Sequence, residues 1–250
     1  MQIDKRIYVI GSGRAGYNLT DSYDCDVYLV DCGEALVMID TGAGIAPEKI
    51  QEQISFHHFS PSDVKYILIT HSHGDHIGGA AYFRRLTGAT VLAHPLSADY
   101  LKNGDTEKMS VELAKKAGLY PLDFVVQTCL TESFSDGEIL KVGDVVFTAV
   151  DTPGHCSGHS SYLVVAPEKR YLFSGDSIFL DGRTSLQSIW DCCLTDYAKT
   201  ACKLNQLEFD ALLPAHFGID LSEGKRHIQK AAEIFGRLGI PEQAFITRGQ

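Results

Sequence analysis

No stretch of this 250-residue chain approaches the ~20 consecutive apolar residues that a spanning helix needs, so no membrane segment is expected. The first ten residues set Asp4, Lys5 and Arg6 inside a short apolar stretch and lack the longer apolar core of a secretory signal. No run of Lys and Arg stands out, and 32 acidic against 22 basic residues leave a formal charge of -10. An acidic surface repels phosphate backbones, so nucleic acid is not expected as a partner. Seven cysteines are an odd number with no disulfide-scaffold spacing. Reduced thiols in a cytoplasm are the simplest reading, with all seven expected as small buried side chains. Internal repeats and low-complexity segments are missing too, which excludes solenoids and disordered linkers.

What is present reads as alternating strands and helices. Apolar segments 6–10, 26–31 and 35–40 predict strands, the last two joined as a hairpin by Cys32-Gly33-Glu34. Residues 64–70 (VKYILIT) are a near-continuous apolar run, as in a strand buried on both faces. A helix is expected over 77–87 and a strand over 89–93. Residues 105–117 predict a helix started by Asp105 or Thr106, with Met109, Leu113 and Ala117 on one face and Gly118 as the stop. Strands are expected at 138–142, 145–150, 161–166, 170–174 and 210–213, with helices at 196–207 and 222–238, the last capped by Ser222. No Pro/Gly/Ser-rich linker divides the chain, so one α/β domain over 1–250 is expected. Residues 95–135 are longer than a strand-to-strand link needs and could serve as a helical cap that sets substrate choice.

Chemistry concentrates where strand 64–70 ends, in Thr70-His71-Ser72-His73-Gly74-Asp75-His76-Ile77-Gly78-Gly79. With ten His in the chain, a chance His-x-His-x-Asp-His arises on the order of 10⁻³ times per sequence. Imidazole and carboxylate suit zinc and related first-row metals. Three further candidates stand just past apolar strands, beside Gly or Pro: His155, Asp176 and His216. Ligand sites of α/β sheets lie beyond strand ends, but each of these three alone would more often be a structural residue or a cap.

Together these residues resemble the metallo-β-lactamase superfamily, with HSHGDH at 71–76 as its signature and His155, Asp176 and His216 at its later ligand positions. The resemblance, running from Val27 to Phe217, implies a four-layer αββα sandwich. It further implies two divalent metal ions, zinc foremost, with manganese or iron as alternatives. His71, His73 and His155 would hold the first metal, Asp75, His76 and His216 the second, and Asp176 both. Two metals ~3.5–4 Å apart can hold a hydroxide between them that attacks a carbonyl or phosphoryl group, with Asp75 orienting it and passing on its proton as the catalytic residue.

Substrate class is less legible, because fold and metal site do not choose among the superfamily's reactions. Asp176 stands where many zinc β-lactamases carry Cys, which disfavours antibiotic hydrolysis. Ile178 and Phe179 stand where homoserine lactonases place a Tyr. The first expectation is hydrolysis of a small ester-like substrate, a thioester or a lactone. The second is cleavage of a small phosphodiester. The third, of another class, is an iron-dependent sulfur oxidoreductase like the persulfide dioxygenases. Dimers are common in the family, which leaves a homodimer open.

Gly11-Ser12-Gly13-Arg14-Ala15-Gly16 follows a strand and mimics a dinucleotide fingerprint, but YNLTDSYDCD after it is poor helix material. A loop near the active site is expected instead, with Arg14 and Tyr17 reaching substrate. His159, four residues after His155, is expected to support the site from behind or to make a plain structural hydrogen bond. His57, His58, His94 and His227 are not expected as ligands, and Cys156 is expected to point away from the site.

Overall fold

The computed structural model describes residues 1–245, so the last five residues of the expected domain lie outside the described residues. Among the described residues, two sheets form. The first runs in the order β1 (Ile7–Gly11), β2 (Val27–Asp31), β3 (Leu36–Ile39), β4 (Val64–Ile69), β5 (Thr90–Ala93) and β6 (Glu132–Ser133). The second runs in the order β11 (Ala211–Pro214), β10 (Arg170–Gly175), β9 (Ser160–Val165), β8 (Val145–Asp151) and β7 (Ile139–Val142). β1, β2 and β3 are antiparallel neighbours, and β3, β4, β5 and β6 run parallel. In the second sheet β7 to β10 are antiparallel and β11 joins parallel to β10.

Side-chain alternation explains why the sheets stack. Along β1 and β2, Ile7, Val9, Tyr28 and Val30 face the second sheet and meet Phe147, Tyr162, Val164, Tyr171 and Phe173 in one buried layer. The intervening Tyr8, Ile10, Val27 and Leu29 face outward, into a layer with α1 (Pro47–Phe56), α3 (Ala80–Thr87) and α4 (Pro95–Asn103). The outer face of the second sheet packs Leu172 and Leu212 against Tyr197, Ala201 and Leu204 of α6 (Leu194–Leu204) and Ile228, Ala231 and Phe235 of α7 (Gly224–Gly236). Both sheets are therefore apolar on both faces and must be covered twice, which gives the αββα order.

Two tyrosines tie the sheets together at the strand ends. Tyr162 of β9 donates its hydroxyl to the Ile69 carbonyl at the end of β4, at 2.5 Å. Tyr28 of β2 donates to the Pro214 carbonyl at the end of β11, also at 2.5 Å.

Three expectations need correction. α1 was not foreseen, although Pro47 opens it and Ile50 and Ile54 share its buried face. Of the helix expected over 105–117 only the short α5 (Val111–Lys116) forms, opening at Ser110, which has φ +55, while α4 lies before that span and ends at Gly104. His94 caps α4 by accepting from the Leu96 N–H, and α5 opens at Ser110 rather than at Asp105 or Thr106. Before α7, Ser222 does not cap. The helix has no side-chain cap; Asp220 instead closes the turn ahead of it, accepting from the N–H groups of Ser222 and Glu223 at 3.0 and 2.9 Å.

Candidate metal centre

The His-rich segment turns sharply between β4 and the single-turn helix α2 (Gly74–Ile77), and glycine makes the turn fit. A Cβ on Gly78 would stand 1.9 Å from the Ala43 carbonyl oxygen, and one on Gly44 would stand 2.3 Å from that of Gly78. Two backbones thus touch where side chains could not fit. Across that contact the His76 carbonyl accepts from the Thr41 N–H and hydroxyl at 2.8 and 2.7 Å.

All seven expected residues converge at one end of the sandwich. His71 Nε2 lies 3.0 Å from His73 Nδ1, which lies 2.9 Å from His155 Nε2. Tetrahedral zinc ligands at their usual bond lengths sit roughly 3.3 Å apart, so these nitrogens are spaced for one cation. A second set stands beside the first. Asp75 Oδ2 lies 3.4 Å from His76 Nε2 and 3.3 Å from His216 Nε2. Asp176 faces both: its Oδ2 is 3.6 Å from His155 Nε2, and its Oδ1 is 3.7 and 3.6 Å from His76 and His216 Nε2.

The far nitrogens are mostly engaged. His76 Nδ1 donates to Asp40 Oδ2 at 2.9 Å and His155 Nδ1 to the Ser185 carbonyl at 3.1 Å. Thr70 Oγ1 donates to Asp40 Oδ2 at 2.8 Å and accepts from His71 Nδ1 at 3.1 Å. Protons fixed there leave the Nε2 lone pairs of all three rings aimed into the centre. His159 accepts from the Asp176 N–H at 3.1 Å and bonds Thr152 Oγ1 through Nδ1 at 2.8 Å, so it positions Asp176 from behind.

Electrostatics favour the ligand form in four of the seven residues, His71, His73, His155 and Asp75. Burial, then the neighbouring imidazoles, holds His71 and His155 well below the ordinary histidine range, and burial brings His73 down to about 4. Burial alone would raise Asp75, but His76 and His216 pull it well below the usual carboxylate range. Neutral imidazoles and ionised carboxylates are what a cation requires. Burial would lower His76 and His216, but the acidic groups around them raise both above the ordinary histidine range, and burial raises Asp176, so these three would bind a cation by releasing protons. His76 Nε2, His216 Nε2 and Asp176 Oδ1 are buried without a hydrogen-bond partner among the described residues. Leaving such atoms unpaired costs ~1–3 kcal/mol each, and a cation between them would satisfy all three. The residues present therefore fit two cations.

His73, Asp75, Asp176 and His216 open into a cleft of about 780 Å³. The segment after α4 supplies one wall through Met109, Leu113, Ala117, Leu119 and Tyr120, and Arg14 and Tyr23 of the 11–26 loop supply another. Tyr17 is exposed and is not among the residues lining the cleft, contrary to expectation. Tyr120 reaches the centre itself: its hydroxyl donates to Asp75 Oδ1 at 2.6 Å and accepts from the Asp75 N–H at 3.2 Å.

Cys156 corrects another expectation. It is buried, and its sulfur lies within 4.8 Å of the ligand atoms of His71 and His73, so it faces the site. Nor are all cysteines buried, since Cys192 and Cys193 are half-buried and Cys202 is exposed. His57 contacts the N-terminal amine, His94 caps α4 and His227 pairs with Asp220, all away from the centre. Asp40, Ser185 and Tyr120 were missed. Asp40 carries the same signal as Asp176, a carboxylate just past an apolar strand. Tyr120 lies 45 residues from Asp75 and has no local signal.

The sequence pattern of the metallo-beta-lactamase superfamily matches residues 21–216. The atrochrysone carboxyl ACP thioesterase nsrC of Aspergillus novofumigatus is 28% identical over 97% of this chain and 63% of its own length. The lactamase-like protein aptB of Emericella nidulans is 26% identical over 93% of this chain and 63% of its own. The chain thus spans under two thirds of these relatives. Among solved structures, the subclass B3 metallo-beta-lactamase BJP-1 of Bradyrhizobium japonicum superposes with a TM-score of 0.72 over 95% of this chain and 91% of that one, at 22% identity. Likeness at that identity carries the fold alone. The fold and the match across 21–216 agree, and the chain belongs to the metallo-beta-lactamase superfamily.

Proposed function

We propose that the chain is a two-metal hydrolase of a small ester-like carbonyl compound, a thioester before a lactone. The observation that carries this reading is the pair of ligand sets with Asp176 offering one oxygen to each. His71, His73 and His155 would hold one cation, Asp75, His76 and His216 the other, and Asp176 both. Such cations supply Lewis acidity and make water nucleophilic near neutral pH.

The chain's own residues supply the rest. Asp75, kept ionised by His76 and His216, accepts the proton of the attacking water. Tyr120 fixes the carboxylate through Oδ1, which leaves Oδ2 facing His76 and His216. The apolar walls at Met109, Leu113 and Leu119 take up an acyl group and exclude bulk water. A thiol has a pKa near ~8.5 and departs as thiolate without a proton donor, whereas an alkoxide or amine needs one. The thioesterase name of the Aspergillus novofumigatus relative points the same way.

The test is a panel of a thioester, a lactone, a phosphodiester and a β-lactam on zinc- and manganese-loaded protein, with Asp75→Asn as the blank. The expected result is thioester turnover that disappears in the blank, with two metals per chain. Equal turnover in the blank, or one iron per chain and no second metal, would overturn the proposal.

A further inference from the structure

The glycine pattern at 11–16 opens no helix, yet the loop it builds is fastened to the candidate centre. Gly13 and Arg14 donate their N–H groups to the carbonyls of Asp24 and Ser22 at 2.9 and 3.1 Å. The N–H of Phe217, the residue after His216, donates to the Ala15 carbonyl at 2.8 Å. Ser12 donates its hydroxyl to the buried Asp26 at 2.5 Å. Only glycine fits this path: a Cβ on Gly13 would come within 2.5–2.8 Å of three carbonyl oxygens, and one on Gly16 would sit 2.1 Å from Asp26 Oδ1.

The loop therefore holds the backbone of Arg14 firmly, one residue from a contact with the segment that carries His216. Its guanidinium stands over the Tyr23 ring, 5.4 Å from the centroid, and makes no ion pair among the described residues. Arg14 is also the one Lys or Arg among the residues lining the cleft, in a chain of net charge -10. The nearby Asp24 is already committed, accepting from Thr20 Oγ1, the Ala43 N–H and the Asp21 N–H. A cation so placed, exposed and without an ion-pair partner among the described residues, is arranged for an anion brought by a ligand.

We propose that Arg14 is an anion subsite of the cleft, and that the substrate is an acyl compound with an apolar acyl part and a carboxylate or phosphate elsewhere. The acyl part lies against Met109, Leu113 and Leu119, and the anionic group meets Arg14. The reaction assigned to this substrate rests on the hydrolase reading above, but the binding site does not.

The test measures binding of three uncleavable probes by calorimetry: hexylthioacetic acid, the neutral alcohol 2-(hexylthio)ethanol, and hexylphosphonic acid. Each is titrated into metal-loaded wild type, Arg14→Gln and Arg14→Lys. Arg14→Gln is expected to bind the anionic probes about tenfold more weakly and the neutral alcohol as before, with Arg14→Lys recovering part of the loss. The anion losing more identifies the source. In parallel, the KM of a carboxylate-bearing thioester is expected to rise more in Arg14→Gln than that of its methyl ester. Equal binding of all three probes by Arg14→Gln and wild type would overturn the subsite, even if thioesters are hydrolysed. Arg14-dependent binding without hydrolysis would support the subsite and overturn the hydrolase reading instead.

Discussion

Replacing Tyr120 by phenylalanine removes one oxygen that makes two hydrogen bonds, both to Asp75. The ring stays stacked on Phe124, with centroids 4.5 Å apart, so the wall of the cleft survives. What is lost is an O–H···O⁻ bond of 2.6 Å and the acceptor for the Asp75 N–H. A hydrogen bond to an ionised group contributes ~1.5–3 kcal/mol net. The Asp75 side chain keeps 19% of its surface exposed, so water can take part of the hydroxyl's place. The loss should fall near the lower end, ~1.5 kcal/mol, or about tenfold in an equilibrium constant. Because Tyr120 touches Asp75 and none of His71, His73 or His155, the loss should fall on one metal only. Titrating metal-free Tyr120→Phe with zinc against a chelator is expected to show the first equivalent binding as in wild type and the second about tenfold more weakly. Two unchanged equivalents would reduce Tyr120 to packing. Equal weakening of both would mean that the variant loosens the whole centre.

Further predictions concern the frame around the site. Gly78→Ala drives a methyl group into the Ala43 carbonyl and should cost about 3 kcal/mol, read as a lower thermal midpoint together with loss of bound metal; a wild-type midpoint would refute the contact. Tyr162→Phe should cost ~1–3 kcal/mol in urea unfolding through the lost bond to Ile69, and no change would show that this bond contributes nothing. Burial pushes the Asp24 carboxyl up to about 6, against hydrogen bonds from Thr20, Ala43 and Asp21. A carboxyl that binds its proton more tightly when folded makes stability fall as pH rises from about 4 to about 6. Urea midpoints of metal-free Asp24→Asn should therefore decline less across that window than those of wild type, and parallel curves would refute the assignment.

The layers and the seven candidate ligands were legible because they depend on local patterns. Continuous apolar strands, such as Ile7-Tyr8-Val9-Ile10, announce burial on both faces, and polar residues just past them announce a shared end of the sheet. The misses have physical causes as well. α1 buries only Ile50 and Ile54, too sparse a stripe to stand out among polar and charged neighbours. The break between α4 and α5 turns on Ser110 in a left-handed conformation, for which a serine gives no warning. The inward direction of Cys156 follows from the loop geometry around Gly154 and Gly158, both at positive φ, rather than from its place after His155. Tyr120 depends on a contact across the fold, which no window of sequence contains.

The Tyr28 and Tyr162 ties carry a thermodynamic consequence. His71, His73, Asp75 and His76 leave the first sheet, whereas His155, Asp176 and His216 leave the second. Neither half contains three histidine or carboxylate donors for each of the two proposed cations, so neither half alone could bind both. If two cations are held as proposed, each would act as a rivet between halves that otherwise meet through apolar contact and a few hydrogen bonds. A sideways slip of one sheet by a single Å would then break coordination and both tyrosine bonds together. Binding would be linked to the register between the sheets, and saturation at a hundred times the dissociation constant would add ~2.7 kcal/mol against their separation.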